Sequence, residues 1–79
     1  MLNLKNVPAN TVCDMVIQNT SSDTAYYAGV RQKGTSVDRK INMSPKTNMS
    51  IMVQTDNNSE VEIYAEDDIY IKFILAGHF

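Results

Sequence analysis

The chain has no tryptophan, one cysteine, one histidine, two prolines and three glycines in 79 residues. Each scarcity removes a class of explanation. Without tryptophan it lacks the usual platform on which sugars stack, and a core must be filled by Ile, Val, Met and Leu. A lone Cys13 cannot form an intrachain disulfide and fits synthesis in a reducing cytoplasm. Cys13 and His78 are the single candidate nucleophile and imidazole base, and catalysis would need them within hydrogen-bond reach. Cys13 sits in mid-strand, where an inert buried thiol is the ordinary role, and His78 is penultimate. No catalytic residue is assigned, no cofactor is implied, and the chain is read as a non-enzyme.

Long apolar runs and strong charge are scarce too. The longest apolar stretch, Ile69 to Ala76, contains Lys72 and falls short of the roughly 20 residues of a membrane helix. The opening MLNLKNVPAN lacks the apolar stretch of a secretion signal. A net charge of −2 argues against nucleic acid as a main partner, since phosphate binding is mostly Lys/Arg electrostatics. The expectation is a soluble protein, not exported by the classical route and not in a membrane. At 43% hydrophobic residues it can bury a core, and its length allows one domain.

What the chain does have is alternation. Thr11 to Gln18 sets Cys13, Met15 and Ile17 on one face, and Ala25 to Arg31 reads as a second strand. Val37 to Met43 alternates again, with Val37, Arg39, Ile41 and Met43 on one side. Met49, Ile51 and Val53 face one way in a fifth strand. Glu60 to Glu66 alternates polar and apolar, and Ile69 to Leu75 reads as a fully buried last strand stopped by Ala76-Gly77. Asn19–Asp23, Gln32–Ser36, Ser44–Asn48 and Asp56–Ser59 are turn clusters. Gly34 supplies a positive φ, Asp56–Ser59 reads as a hairpin loop, and Asp67-Asp68 as a tight link. Six or seven strands at this spacing predict an all-β fold, a small antiparallel β-sandwich, jelly-roll-like or barrel-like. Residues 1–10, with Pro8, form an arm or edge segment, and 11–79 the domain.

Four basic residues, Arg31, Lys33, Arg39 and Lys40, fall within ten positions. An acidic group, Glu60, Glu62, Glu66, Asp67 and Asp68, lies near the end. The plain reading is that the basic residues keep a turn soluble. The functional reading sets a basic hairpin against an acidic strand of a neighbouring copy, where complementary charge fixes register. Adjacent Tyr26 and Tyr27 must point to opposite faces, so one is outward, and outward tyrosines such as Tyr27 and Tyr64 are potential interface anchors. Met52 is a similar hint of a covered outer surface. Glu66-Asp67-Asp68 is a weak candidate for calcium, which favours clustered oxygen ligands, but no D-x-D-x-D-G spacing accompanies it. Asn-x-Ser sequons at Asn19, Asn42, Asn48 and Asn57 receive no role without a secretion signal.

The strings GVRQKGTSVDRKI and MVQTDNNSEVEIYAEDDIYIKFILAGHF resemble a small all-β module of tailed-phage virion proteins. The residues that carry the likeness are Gly29, Val30, Arg31, Lys33, Gly34, Asp38, Arg39, Glu62, Tyr64, Phe73 and Gly77. It covers roughly residues 25–79. The resemblance implies a β-sandwich assembling on a viral particle, often as a trimer, with the major capsid protein or another virion protein as partner. A chain that begins at its own Met1 points within that family to a head decoration, or cement, protein made in the host cytoplasm and residing in the virion. A second class is a carbohydrate- or receptor-binding module using the loops Asn19–Asp23, Ser44–Asn48 and Asp56–Ser59. A third is a phage-encoded inhibitor of a host protein. The residue arm 1–10 is expected to add an edge strand to a neighbour.

Overall fold

Period-2 alternation becomes structure most plainly in the strand Val12–Asn19, where Cys13, Met15, Ile17 and Asn19 are buried and the residues between them are not. The computed structural model describes residues 2–4, 6–35 and 39–79. Among them are seven strands: β1 (Leu2–Asn3), β2 (Val12–Asn19), β3 (Tyr26–Gln32), β4 (Lys40–Met43), β5 (Thr47–Gln54), β6 (Glu60–Ala65) and β7 (Ile71–His78). They form two antiparallel sheets, one in the order β1-β6-β3-β4 and one in the order β5-β2-β7. No helix occurs among the described residues. The all-β reading is shown.

The inner faces close on a core of Leu4, Val7, Cys13, Met15, Ile17, Ala28, Val30, Met43, Val53, Val61 and Ile71. Ile41, Ile51, Ile63, Phe73 and Leu75 pack against it from half-buried positions. Fully burying one such aliphatic chain contributes roughly 1.5–3 kcal/mol. Met49, Ile51 and Val53 share one face as expected, opposite Ile17, Met15 and Cys13 across the ladder, but only Val53 is buried: Ile51 is half-buried and Met49, towards the far end of the edge strand, is exposed. Gly34 has φ +87° at the β3–β4 turn, as a left-handed turn residue should.

Several expectations change. The last strand is Ile71–His78, two residues later at its start than expected, and it runs through Ala76-Gly77. It is an edge strand covered on one face, so Ile71, Phe73 and Leu75 turn inward while Ile74 stays 44% exposed. Ile69 and Tyr70 belong to the turn before it, because the Asp67 carboxylate accepts both of their amides at 2.8 Å. Asp56–Ser59 is a turn but not a hairpin loop: β5 and β6 lie in different sheets, and Asp56 Oδ1 accepts the Asn58 and Glu60 amides to make the crossing. Only β3 and β4 are joined within one sheet among consecutive strands. The expected strand start at Val37, the Gln32–Ser36 turn's last residue and Asp38 lie outside the described residues. So do Met1 and Lys5 of the arm.

The arm packs in cis. Leu2 and Asn3 pair with Val61 and Glu60, and Leu4 N–H donates to Ser59 O at 2.9 Å. Leu4 and Val7 enter the core at 7% and 2% exposure. Thr55, fully buried, fastens the return: its hydroxyl donates to Pro8 O at 2.8 Å and accepts the Thr11 amide at 3.0 Å. The edge partner expected on a neighbouring copy is therefore β6 of the same chain.

Candidate functional site

On the four-stranded sheet, alternation sends Tyr27 and Arg31 of β3, Glu60, Glu62 and Tyr64 of β6, and Lys40 of β4 to the outer face. Lys33, just past β3, joins them by bonding Glu60. Seven of the eight residues proposed for an interface thus share one surface. Arg39 departs from it. Its guanidinium reaches across the open side of the sandwich and donates to Met52 O on β5 at 2.7 Å.

Opposite charges meet within the molecule. Arg31 donates from Nε and Nη2 to Glu62 Oε2 at 3.3 and 3.0 Å, and Lys33 Nζ donates to Glu60 Oε1 at 2.9 Å. The complementary groups expected on two copies therefore pair across β3 and β6 of one. The Gly34 amide donates to Glu62 Oε1 at 3.0 Å. That amide first, and Arg31 second, hold the Glu62 carboxyl below its usual range. The hydrogen bond from Lys33 to Glu60 raises the lysine above its own. The Asp56 carboxyl is lowered chiefly by the Glu60 amide.

Gly29 leaves a gap in this surface. Its register partners are Tyr64 on one side and Lys40 on the other, and Lys40 Nζ sits 4.4 Å from the Tyr64 ring centroid. A pocket of about 260 Å³ opens there, lined among others by Arg31, Arg39, Lys40, Glu62 and Tyr64. A Cβ at Gly29 would come within 2.4 Å of Arg39 O, so the close strand approach requires glycine. A second, more open groove of about 380 Å³ lies at the same end of the strands, between Arg31 and Arg39 on one side and Val12, Met52 and Val53 on the other.

The opposite end of the strands carries the loops 20–25, 44–46 and 66–70. Here Glu66 Oε1 accepts the Tyr27 amide at 2.9 Å, and Asp67 is occupied by its turn. The weak metal candidates Glu66, Asp67 and Asp68 are placed as turn and edge residues. Among the described residues no three His, Cys, Asp or Glu side chains converge as a metal site would need. Tyr26 and Tyr70 stack at 6.3 Å between centroids and 12° between planes. Burial, then the nearby Asp67, pushes the Tyr26 phenol up.

Cys13 Sγ donates to Val53 O at 3.3 Å in the core, and burial, then Asp14, raises its thiol. His78 is its register partner on β7 but is exposed. Sequence reasoning missed the Gly29 gap and the apolar groove beside Arg39, because both depend on which strands adjoin. A glycine in mid-strand was the available signal for the first. No protein-family model, curated protein or solved structure matches the chain.

Proposed function

We propose that the chain is a non-enzymatic structural protein of a virion, a decoration protein that binds the assembled head as an oligomer. The outer face of the β1-β6-β3-β4 sheet is the surface that meets the shell. One observation carries this reading: Tyr27 and Tyr64, 48% and 40% exposed, stand on one sheet face among side chains already fixed by the Arg31–Glu62 and Lys33–Glu60 pairs. Tyrosine and arginine are the residue types that anchor interfaces, and prior fixing lowers the ordering cost of binding. The resemblance to phage virion modules supplies the particle.

The test mixes the chain with assembled heads of its particle and, separately, with free shell subunits. Saturable binding to heads alone is expected, and Tyr27→Ala with Tyr64→Ala lowers affinity at least tenfold, the equivalent of about 1.4 kcal/mol. Binding to neither, or unchanged binding of the double variant, defeats the reading. The Gly29 pocket beside Tyr64 favours a second reading, a small glycan or receptor module. That reading predicts a rise in melting temperature with a glycan panel, since ligand bound only by the native state stabilises it.

A further inference from the structure

Among the described residues the most exposed large aliphatic side chain is Ile69, at 65%, and it stands on a turn. Its turn does not give way easily. Asp67 Oδ1 accepts the Ile69 and Tyr70 amides, Tyr70 O accepts both the amide and the hydroxyl of Thr20, and the Tyr70 ring rests on Tyr26. Buried Asn19 ties the neighbouring loop down, its Nδ2 donating to Thr24 O and Met43 O at 3.0 Å each. Asp23, Glu66, Asp67 and Asp68 belong to the loops of this end, with Lys46 as the one basic residue in those loops. The two ion pairs seen among the described residues lie elsewhere. The result is a rigid apolar tip with an acidic rim.

At the other end of the strands is its counterpart. The open groove there, of about 380 Å³, has Val12, Met52 and Val53 as apolar wall, with Val12 and Met52 39% and 48% exposed. Arg39 contributes its charge, while Arg31, which also lines it, is held by Glu62. The hydrogen bond of Arg39 to Met52 O goes to a neutral carbonyl and leaves the guanidinium charge uncompensated by that bond.

We propose that these two ends are the halves of one contact between copies of this chain, the Ile69/Tyr70 tip of one entering the Val12/Met52 slot beside Arg39 of the next. Apolar surface fills apolar surface, and the acidic rim meets Arg39. A bilayer is a poorer occupant of the tip, because the carboxylates oppose an anionic headgroup surface. The contact is heterologous, so repetition closes a ring or extends an open filament. It is a property of the free chain and stands or falls independently of whether a viral head is the target.

Complementation tests it. Sedimentation of the full chain over a concentration series is expected to show association that weakens with added salt. Ile69→Lys, which spoils the tip, and Met52→Lys, which spoils the slot, each give monomers with unchanged melting; Arg39→Glu gives monomers too, with the bond to Met52 O lost as well. Mixing Ile69→Lys with Met52→Lys gives a one-to-one complex, since the intact slot of the first accepts the intact tip of the second. A chain monomeric at every concentration, association indifferent to Ile69→Lys, or a mixture that stays monomeric overturns the proposal.

Discussion

Thr55 shows how much a single hydroxyl can hold. It is the fastening between β5, the arm and the start of β2, and it is fully buried. Thr55→Val keeps the shape but leaves Pro8 O and the Thr11 amide without that partner, a loss of about 1–3 kcal/mol. The expected signature is a lower melting temperature together with faster amide exchange at Leu4 and Val7, whose amides donate to Ser59 O and Leu4 O and hold the arm in place. Gly29→Ala acts differently, through contact: the new Cβ meets backbone, which cannot swing aside. Chemical denaturation should show a larger loss than for Gly34→Ala, where the cost is the positive φ alone. Cys13, buried and with its thiol raised, is expected to resist a thiol reagent in the native chain and to react at once in denaturant.

At the level of elements, charge placement makes the response to acid readable. Glu62 and Asp56 have folded-state carboxyls below the ordinary range, so their stabilisation is fully present above their unfolded pKa values, near 4. It is lost as pH falls through the lower folded values. Lys33 is raised, so its contribution is present below its unfolded pKa and disappears as pH climbs through the higher folded one. Melting temperature should therefore hold across neutral pH and drop below about pH 4, and Glu62→Gln should flatten the acid limb. The same elements mark what the residues alone could reveal. Alternation in Val12–Asn19 or Thr47–Gln54 is written directly into the chain, and so is the outward set that includes Tyr27, Glu62 and Tyr64. What alternation cannot express is which strand lies beside which. Asp56–Ser59 has the composition of a hairpin loop, yet its side chains cap a crossing between sheets. Ile69 and Tyr70 continue an apolar run, yet Asp67 bends them out of the strand. The charges on β3 and β6 were visible as complementary groups, but their pairing in cis follows from strand adjacency.

For the whole molecule, the decisive property is that neighbours in space are distant in sequence. β2 pairs with β5 and β7, and β3 with β6. Folding dominated by such contacts is slow for its size, on the order of milliseconds to seconds, and stopped-flow refolding should find it there. Neither sheet is a continuous length of chain: the four-stranded one draws on residues 2–3, 26–32, 40–43 and 60–65, and the other closes only with Ile71–His78. On the ribosome this makes the protein an all-or-nothing product. Until β7 has cleared the exit tunnel, β2 lacks one of its two flanking strands and the core stands open on that side, so the nascent chain must wait, unfolded, for its final strand.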